Sequence, residues 1–357
     1  MAGVTPEAGG RLGAIVPVLN PDLATRQLVD LAVLAEELGY DAVYMPEAWA
    51  RDALVLCQAF ASATTRIEIG TAAVSVPVRT PAVAAMASAT IDDLSEGRFT
   101  LGLGMGHQRT TTNWHGLPYE PRLQWLREYV EIVRRIHRRE RMEFQGEILR
   151  STDYRLGFQP HRERIPIYLA VLRLGSMRLA GEIADGAFMY FAPPAYIRKG
   201  IAAMDEGLAK AGRDPRTFDR TLMIPTWVTD DPARAREVGR VQVAWYANLA
   251  FYNTMFREAG FADEADALRD AWAKVKADDP EMEGWMALSD CGTASLVSDE
   301  LVESVVVFGS AEECRARVAD YRELGVDTPI VFPFGVYGSA DEALAGYART
   351  LEACAGA

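Results

Sequence analysis

Short apolar runs alternate along this chain with longer stretches in which apolar residues recur every three or four positions. "LGAIVPVL" (Leu12–Leu19) is apolar on both faces and predicts a buried strand; in "LATRQLVDLAVLAEELG", Leu28, Leu31, Ala32, Ala35 and Leu38 share one helical face, and Gly39 stops the helix. The same alternation repeats. "DAVYMP" predicts a second strand, followed by a helix through "ALVLCQAFASAT" that Asp52 can cap. "IEIGTAAVSV" is the third strand, and Thr80 and Pro81 stand at the N-cap and first position of the helix "AVAAMASATIDDL". "RFTLGL" is the fourth strand; Leu123, Leu126, Val130, Val133 and Ile136 mark one face of a long helix; "MEFQGEILRSTDYRLGF" alternates like a small inserted hairpin. "IPIYLAV", "DGAFMYF", "RTLMIPTWVT" and "TPIVFPF" supply the last four strands, with helices between them. A helical region runs from Asp231 to about Gly260, and Ser310 with Glu313 forms a capping-box pattern.

Strands apolar on both faces and separated by helices pair in parallel through right-handed crossovers. Eight such alternations predict a single (β/α)8 TIM barrel over residues 11–357 more readily than an open, doubly wound sheet. Residues 1–10 are small and polar and predict a loose tail. The stretch 261–303 is polar, carries Trp272 and Trp285, and predicts an insertion near the barrel mouth.

The chain has 357 residues and a formal net charge of -13, without a basic stripe, which argues against nucleic acid and anionic membranes as partners. There is no signal-peptide pattern and no apolar run of the roughly 20 residues that cross a bilayer, so a cytoplasmic protein is expected. Cys57, Cys291, Cys314 and Cys354 form no C-x-x-C pair, and His107, His115, His137 and His161 show no metal-ligand spacing; no metal is expected.

The most conspicuous motif is "GRFTLGLGMGHQ", with Gly102, Gly104 and Gly106 in alternation. A dinucleotide fingerprint needs G-x-G-x-x-G opening into a helix, but here the third glycine position is His107 and "QRTTTNWHG" predicts a loop. At the C-terminal rim of a barrel strand, glycines instead let a flat ring approach the backbone or relieve crowding inside the barrel.

"YMPEAWARDAL", "RIEIGTAAVSVPVRTPAVAAMASATIDDLSEGRFTLGLGMG", "WHGLPYEPRLQWLREYVEIVRRI" and "PIYLAVLRLGSMRLAGEIADG" resemble the bacterial-luciferase-like superfamily, and within it the branch using the deazaflavin coenzyme F420. That branch includes methylenetetrahydromethanopterin reductase and F420-dependent glucose-6-phosphate dehydrogenase. The resemblance implies an oxidoreductase that moves a hydride between F420 and a small organic substrate at the C-terminal mouth. The alternatives are an FMN-dependent monooxygenase and a binding protein on the same barrel. It also implies a homodimer or larger homo-oligomer.

By that resemblance a non-prolyl cis peptide falls at Ala72–Ala73, and Ala72, Ala73, Val74, Gly104 and Gly106 back the coenzyme ring. Glu47 orients the ring or handles a proton, unless it pairs with Arg51. Trp49 walls the substrate site or packs, and His107 stands where a proton donor is expected or serves as a structural hydrogen bonder. Arg173 and Leu174 replace the usual Gly-Pro before a helix, whose backbone N–H groups at Leu174, Gly175, Ser176 and Met177 hold the coenzyme phosphate. Arg79, Arg109, Arg198 and Lys199 are candidates for its anionic tail. Trp227, Trp245, Tyr246, Phe251, Tyr252, Trp272 and Trp285 suggest a ring-bearing substrate or, equally, core and dimer contacts.

Overall fold

The computed structural model describes residues 10–120, 123–278 and 292–357. The chain runs β1 (Gly13–Ile15), α1 (Thr25–Glu37), β2 (Ala42–Met45), α2 (Ala53–Ala63), β3 (Glu68–Thr71), β4 (Val74–Ser75), α3 (Pro81–Leu94), β5 (Phe99–Gly104) and α4 (Leu123–His137). It continues through β6 (Glu143–Gln145), β7 (Arg150–Thr152), β8 (Ile167–Ala170), α5 (Leu174–Ile183), β9 (Gly186–Tyr190), α6 (Pro194–Lys210) and β10 (Asp219–Val228). It closes with α7 (Pro232–Ala247), α8 (Ala250–Glu258), α9 (Ala262–Asp278), α10 (Asp299–Val305), β11 (Val307–Gly309), α11 (Ala311–Asp320), β12 (Thr328–Pro333) and α12 (Ala340–Cys354).

Strands β1, β2, β3, β5, β8, β9, β10 and β12 pair in that order, all parallel, and β12 returns to β1. This is the (β/α)8 barrel that the alternation predicts. The expected caps are in place: Asp52 accepts from Leu54 N and Val55 N, Thr80 accepts from Val83 N, and Ser310 and Glu313 cap reciprocally. The predicted hairpin is the antiparallel pair β6–β7.

Four details depart from the sequence reading. The third strand is interrupted, as β3 and β4. The helical region after Asp231 is two helices, α7 and α8. A short extra strand, β11, pairs with the end of β10 at Thr226–Val228, outside the closed barrel. The segment after β5 is not a plain loop, because Thr110–Trp114 makes a π-helical turn. In the proposed insertion, α9 and α10 are helical, while Trp285 and Cys291 lie outside the described residues. Cys57, Cys314 and Cys354 are buried free thiols. Among the described residues no helix is long and apolar enough to cross a membrane.

The barrel interior has a polar floor. Arg11 forks onto Glu68 at 2.7 and 3.2 Å, and Asp219 accepts hydrogen bonds from the Tyr168 hydroxyl and Thr328 Oγ1, each at 2.9 Å. Burial pushes the Asp219 carboxyl up to about 6, with Arg11 pulling the other way. The folded chain thus keeps this proton to a higher pH than the unfolded chain, whose Asp titrates near 4. The contribution of Asp219 to stability is therefore full below about pH 4 and falls away as pH rises to about 6. Asp219→Asn is expected to be more stable than the wild type by about 2 kcal/mol above pH 6, the gain vanishing near pH 4. Urea unfolding at both pH values checks this, and an equal difference at both would contradict it.

Candidate functional site at the C-terminal mouth

Side chains on each barrel strand alternate between the interior and the helical layer, so the last inward position of each strand borders the mouth. On three neighbouring strands these positions are small: Ala72 just beyond β3, Gly104 on β5 and Ala170 on β8. A Cβ built on Gly104 would lie 3.3 Å from the Ala170 Cβ and 3.7 Å from the Ala73 Cβ. Beside β8, strand β9 presents Tyr190, and farther round the mouth β12 presents Phe332; both pack on the interior cluster of Ile15, Tyr44, Tyr168, Phe188, Met223 and Ile330. One half of the mouth is a shallow seat of backbone and methyl groups, and the other is an aromatic wall.

The seat is shaped by an irregularity. Gly70 pairs with Thr100, but Val74 pairs with Leu103, so the third strand carries one more residue than its partner and bulges. The Ala72–Ala73 peptide inside the bulge is cis. Where the ladder opens, the Thr71 hydroxyl donates to Gly102 O and accepts from Gly102 N, both at 2.9 Å. Val74 contributes only backbone here, since its side chain belongs to the outer core.

Glu47 lies just after β2, and its partner is Arg79, not Arg51. The Arg79–Glu47 contact is 2.5 Å, Arg79 also reaches Asp52 at 2.7 Å, and Ser75 N donates to Glu47 Oε2 at 3.2 Å. Arg51 instead donates to the carbonyls of Val18, Asn20 and Leu23. Glu47 therefore ties the loop after β2 to the chain just beyond the bulge, and Arg79 is engaged rather than free for an anionic tail. Of the other tail candidates, Lys199 donates to Glu258 O at 2.6 Å, Arg109 adds to burial in disfavouring the charge of Lys276, and Arg198 is exposed. The side chains of Glu47 and Arg79 are 14% and 20% exposed, so breaking this pair leaves a poorly solvated carboxylate. Arg79→Ala should cost about 2 kcal/mol in thermal or urea unfolding, with Arg79→Lys recovering part of it. Equal stability of Arg79→Ala and wild type would contradict the clamp.

His107 stands at the open rim, but its crowded recess holds its imidazolium below the ordinary value near 6.5. Trp49 is 44% exposed, and its ring meets Trp114 edge-on at 6.4 Å, so the two form a rim wall rather than core. Gly106 adopts φ +64, and a Cβ there would fall 2.5 Å from Ser75 Oγ.

Helix α5 starts at the rim directly after β8. Its N-cap is Arg173, whose side chain accepts no hydrogen bond; Ser176 Oγ reaches back to the cap backbone, donating to Arg173 O at 2.7 Å and accepting from Arg173 N at 3.3 Å. The N–H groups of Leu174, Gly175 and Ser176 belong to the open first turn. Met177 N is not available, because it donates to Arg173 O within the helix, and the Met177 side chain is core. The Arg173 guanidinium sits 5.8 Å from the Phe251 ring centroid, turned toward α8.

Sequence reasoning missed Ser75 and Thr111. Their hydroxyl oxygens are buried without a hydrogen-bond partner among the described residues and flank Gly106, 2.5 and 3.9 Å from the point its Cβ would occupy. It also missed Ala170 and Tyr190, which only the barrel register brings to the mouth.

With this geometry in view, the similarities to known proteins are informative. The family model described as luciferase-like monooxygenase matches residues 6–328. The 5,10-methylenetetrahydromethanopterin reductase of Archaeoglobus fulgidus is 28% identical over 309 residues, 86% of this chain and 89% of that protein. The F420-dependent glucose-6-phosphate dehydrogenase of Intrasporangium calvum is 30% identical over 286 residues, 75% of this chain and 83% of that protein. Among solved structures, the coenzyme F420-dependent tetrahydromethanopterin reductase of Methanopyrus kandleri superposes with a TM-score of 0.78 at 19% identity, covering 98% of both chains. The chain belongs to the luciferase-like monooxygenase family, on the branch whose curated relatives are F420-dependent oxidoreductases.

Proposed function

We propose that this protein seats coenzyme F420 on the Ala72–Gly104–Ala170 half of the mouth and moves a hydride between it and a small organic substrate. The observation that carries the reading is the split mouth: three adjacent strands end in small residues, and the helix that follows the third opens its N-terminus beside them. A flat ring needs backbone-close approach on one face, and a phosphate needs N–H donors at one end.

Bound there, a deazaflavin supplies a carbon centre that exchanges a hydride, a two-electron carrier without oxygen activation. The chain's own part is positioning. The Ala72–Ala73 backbone and Gly104 form the backstop. Leu174, Gly175 and Ser176 offer N–H groups to the phosphate. The unpartnered Ser75 and Thr111 hydroxyls are placed to bond polar edges of the ring. Glu47 acts through Arg79 and Ser75 N to hold the bulge in place. Trp49, Trp114 and the aromatic wall exclude water from the reacting face.

The expected oligomer would cover the face on which Val55 of α2 and Val83, Met86 and Leu94 of α3 are exposed.

Gly175→Asp tests the phosphate end. A carboxylate in the first turn of α5 favours the helix dipole, so folding should be unimpaired, while it repels a bound phosphate. The expected result is a Tm at or above that of the wild type with F420 affinity reduced at least about 30-fold, close to 2 kcal/mol. Unchanged affinity would place the phosphate elsewhere.

A further inference from the structure

The aromatic half of the mouth has chemistry of its own. Tyr190 and Phe332 keep partial solvent access although they cap the barrel interior, and so does Tyr246 of α7. Their rings are packed together: Tyr190 lies 5.4 Å from Tyr246, 6.0 Å from Phe332 and 6.4 Å from Tyr252, and Tyr246 lies 4.6 Å from Tyr252. Within this wall the Tyr246 and Tyr190 hydroxyls meet at 3.3 Å. Whichever of the two donates, the proton of the other has no acceptor among the described residues. Beside them Trp245, its ring 4.7 Å from Tyr246, buries an indole N–H that also lacks an acceptor.

The wall is also electrically neutral. Burial pushes Tyr190, Tyr246 and Tyr252 up, Tyr246 adds to this at Tyr190 and Tyr252, and the hydrogen bond to Tyr190 pulls Tyr246 the other way; no charged side chain among the described residues acts on them. The barrel-floor tyrosines differ: Tyr44 and Tyr168 respond to Asp219, Glu68 and Arg11. A phosphate or carboxylate pressed against this wall would lose water and find no counter-charge. A neutral oxygen would find a hydroxyl donor, and a flat apolar body would find rings to pack on.

We infer that Tyr190 and Tyr246 form a hydrogen-bond anchor for a neutral carbonyl or alcohol oxygen, and that the wall selects uncharged, ring-bearing carbonyl compounds over phosphorylated ones. This rests on the reading that the coenzyme occupies the neighbouring, small-residue half of the mouth. The anchor then holds the substrate carbon facing that half, and the tyrosines act as substrate-binding residues.

The test is binding, read apart from turnover. The full-length protein is titrated with 4-fluoroacetophenone and followed by fluorine NMR, alone and with saturating F420. Wild type, Tyr246→Phe and Tyr190→Phe are compared, with unfolding temperatures as the folding control. The expected result is saturable ketone binding to the wild type, weakened ~5-fold by either phenylalanine, as the loss of one hydrogen bond implies. Glucose 6-phosphate should not displace the probe. Phenylalanine variants that bind as tightly as the wild type, no binding by the wild type, or displacement by glucose 6-phosphate would each overturn the inference. F420 binding is followed separately. If it is absent while ketone binding still depends on the tyrosines, the coenzyme reading falls and the anchor stands. If F420 binds and the tyrosines do not matter, the anchor alone falls.

Discussion

Gly104→Val should abolish F420 binding and leave the barrel folded. Gly104 is the last residue of β5, and the space above it is bounded by the Ala73 and Ala170 methyl groups at 3.7 and 3.3 Å from a Cβ. The first added carbon is tight against Ala170 but meets a methyl group rather than backbone, so a shift of tenths of an ångström admits it. Its backbone has an ordinary φ, so a side chain adds no conformational penalty. Stability should fall by about 1 kcal/mol. The two γ-methyl groups then stand where a flat ring must approach the strand. Displacing it from the seat should cost at least about 100-fold in affinity, near 2.7 kcal/mol. Fluorescence titration with F420 beside a urea melt separates the two effects. A variant that binds like the wild type would remove Gly104 from the site.

Two residues earlier in the same motif the expectation reverses. Gly102→Ala should unfold or severely destabilise the protein. A Cβ on Gly102 would lie 1.8 Å from Thr71 O and 2.9 Å from Phe188 Cε2. The first of these is backbone, held by the reciprocal hydrogen bonds between the Thr71 hydroxyl and Gly102. No rotamer change relieves the clash; β3 and β5 must separate beside the bulge. The cost should exceed ~3 kcal/mol, beyond ordinary overpacking. It should appear as a lower urea midpoint or as insoluble protein. A soluble Gly102→Ala with wild-type stability would contradict the packing described here. The alternating glycines thus divide their work. Gly102 lets two strands touch, Gly104 leaves a seat, and Gly106 supplies a left-handed turn against Ser75.

Much of this architecture is legible in the sequence because its signals are local. Apolar runs bounded by caps give the strands and helices, and Asp52, Thr80–Pro81 and Ser310–Glu313 mark helix starts through contacts within a few residues. The resemblance implies the cis bond at Ala72–Ala73, which the structure contains. What sequence reading misses depends on contacts between distant segments. Arg79 is 32 residues from Glu47, whereas Arg51 is the local cation, so proximity in sequence names the wrong partner. "DGAFMYF" is apolar throughout, and only the register against β8 and β10 shows that Tyr190 faces inward and Met189 outward. β11 has three residues, too short for periodicity, and exists because β10 is long enough to pair beyond the barrel. The threonines of "QRTTTNWHG" favour a loop by propensity, but their segment winds into a π-helical turn.

The central claim is that the small-residue half of the mouth is a seat for F420. Its most direct test is an equilibrium titration of the purified wild-type protein with F420 and, in parallel, with FMN, read by tryptophan quenching; Trp49 and Trp114 stand on the rim as reporters. Micromolar or tighter binding of F420 and markedly weaker binding of FMN are expected. Preference for FMN would contradict the claim and point to oxygen-dependent flavin chemistry on the same barrel, and binding of neither would remove the coenzyme from the account altogether.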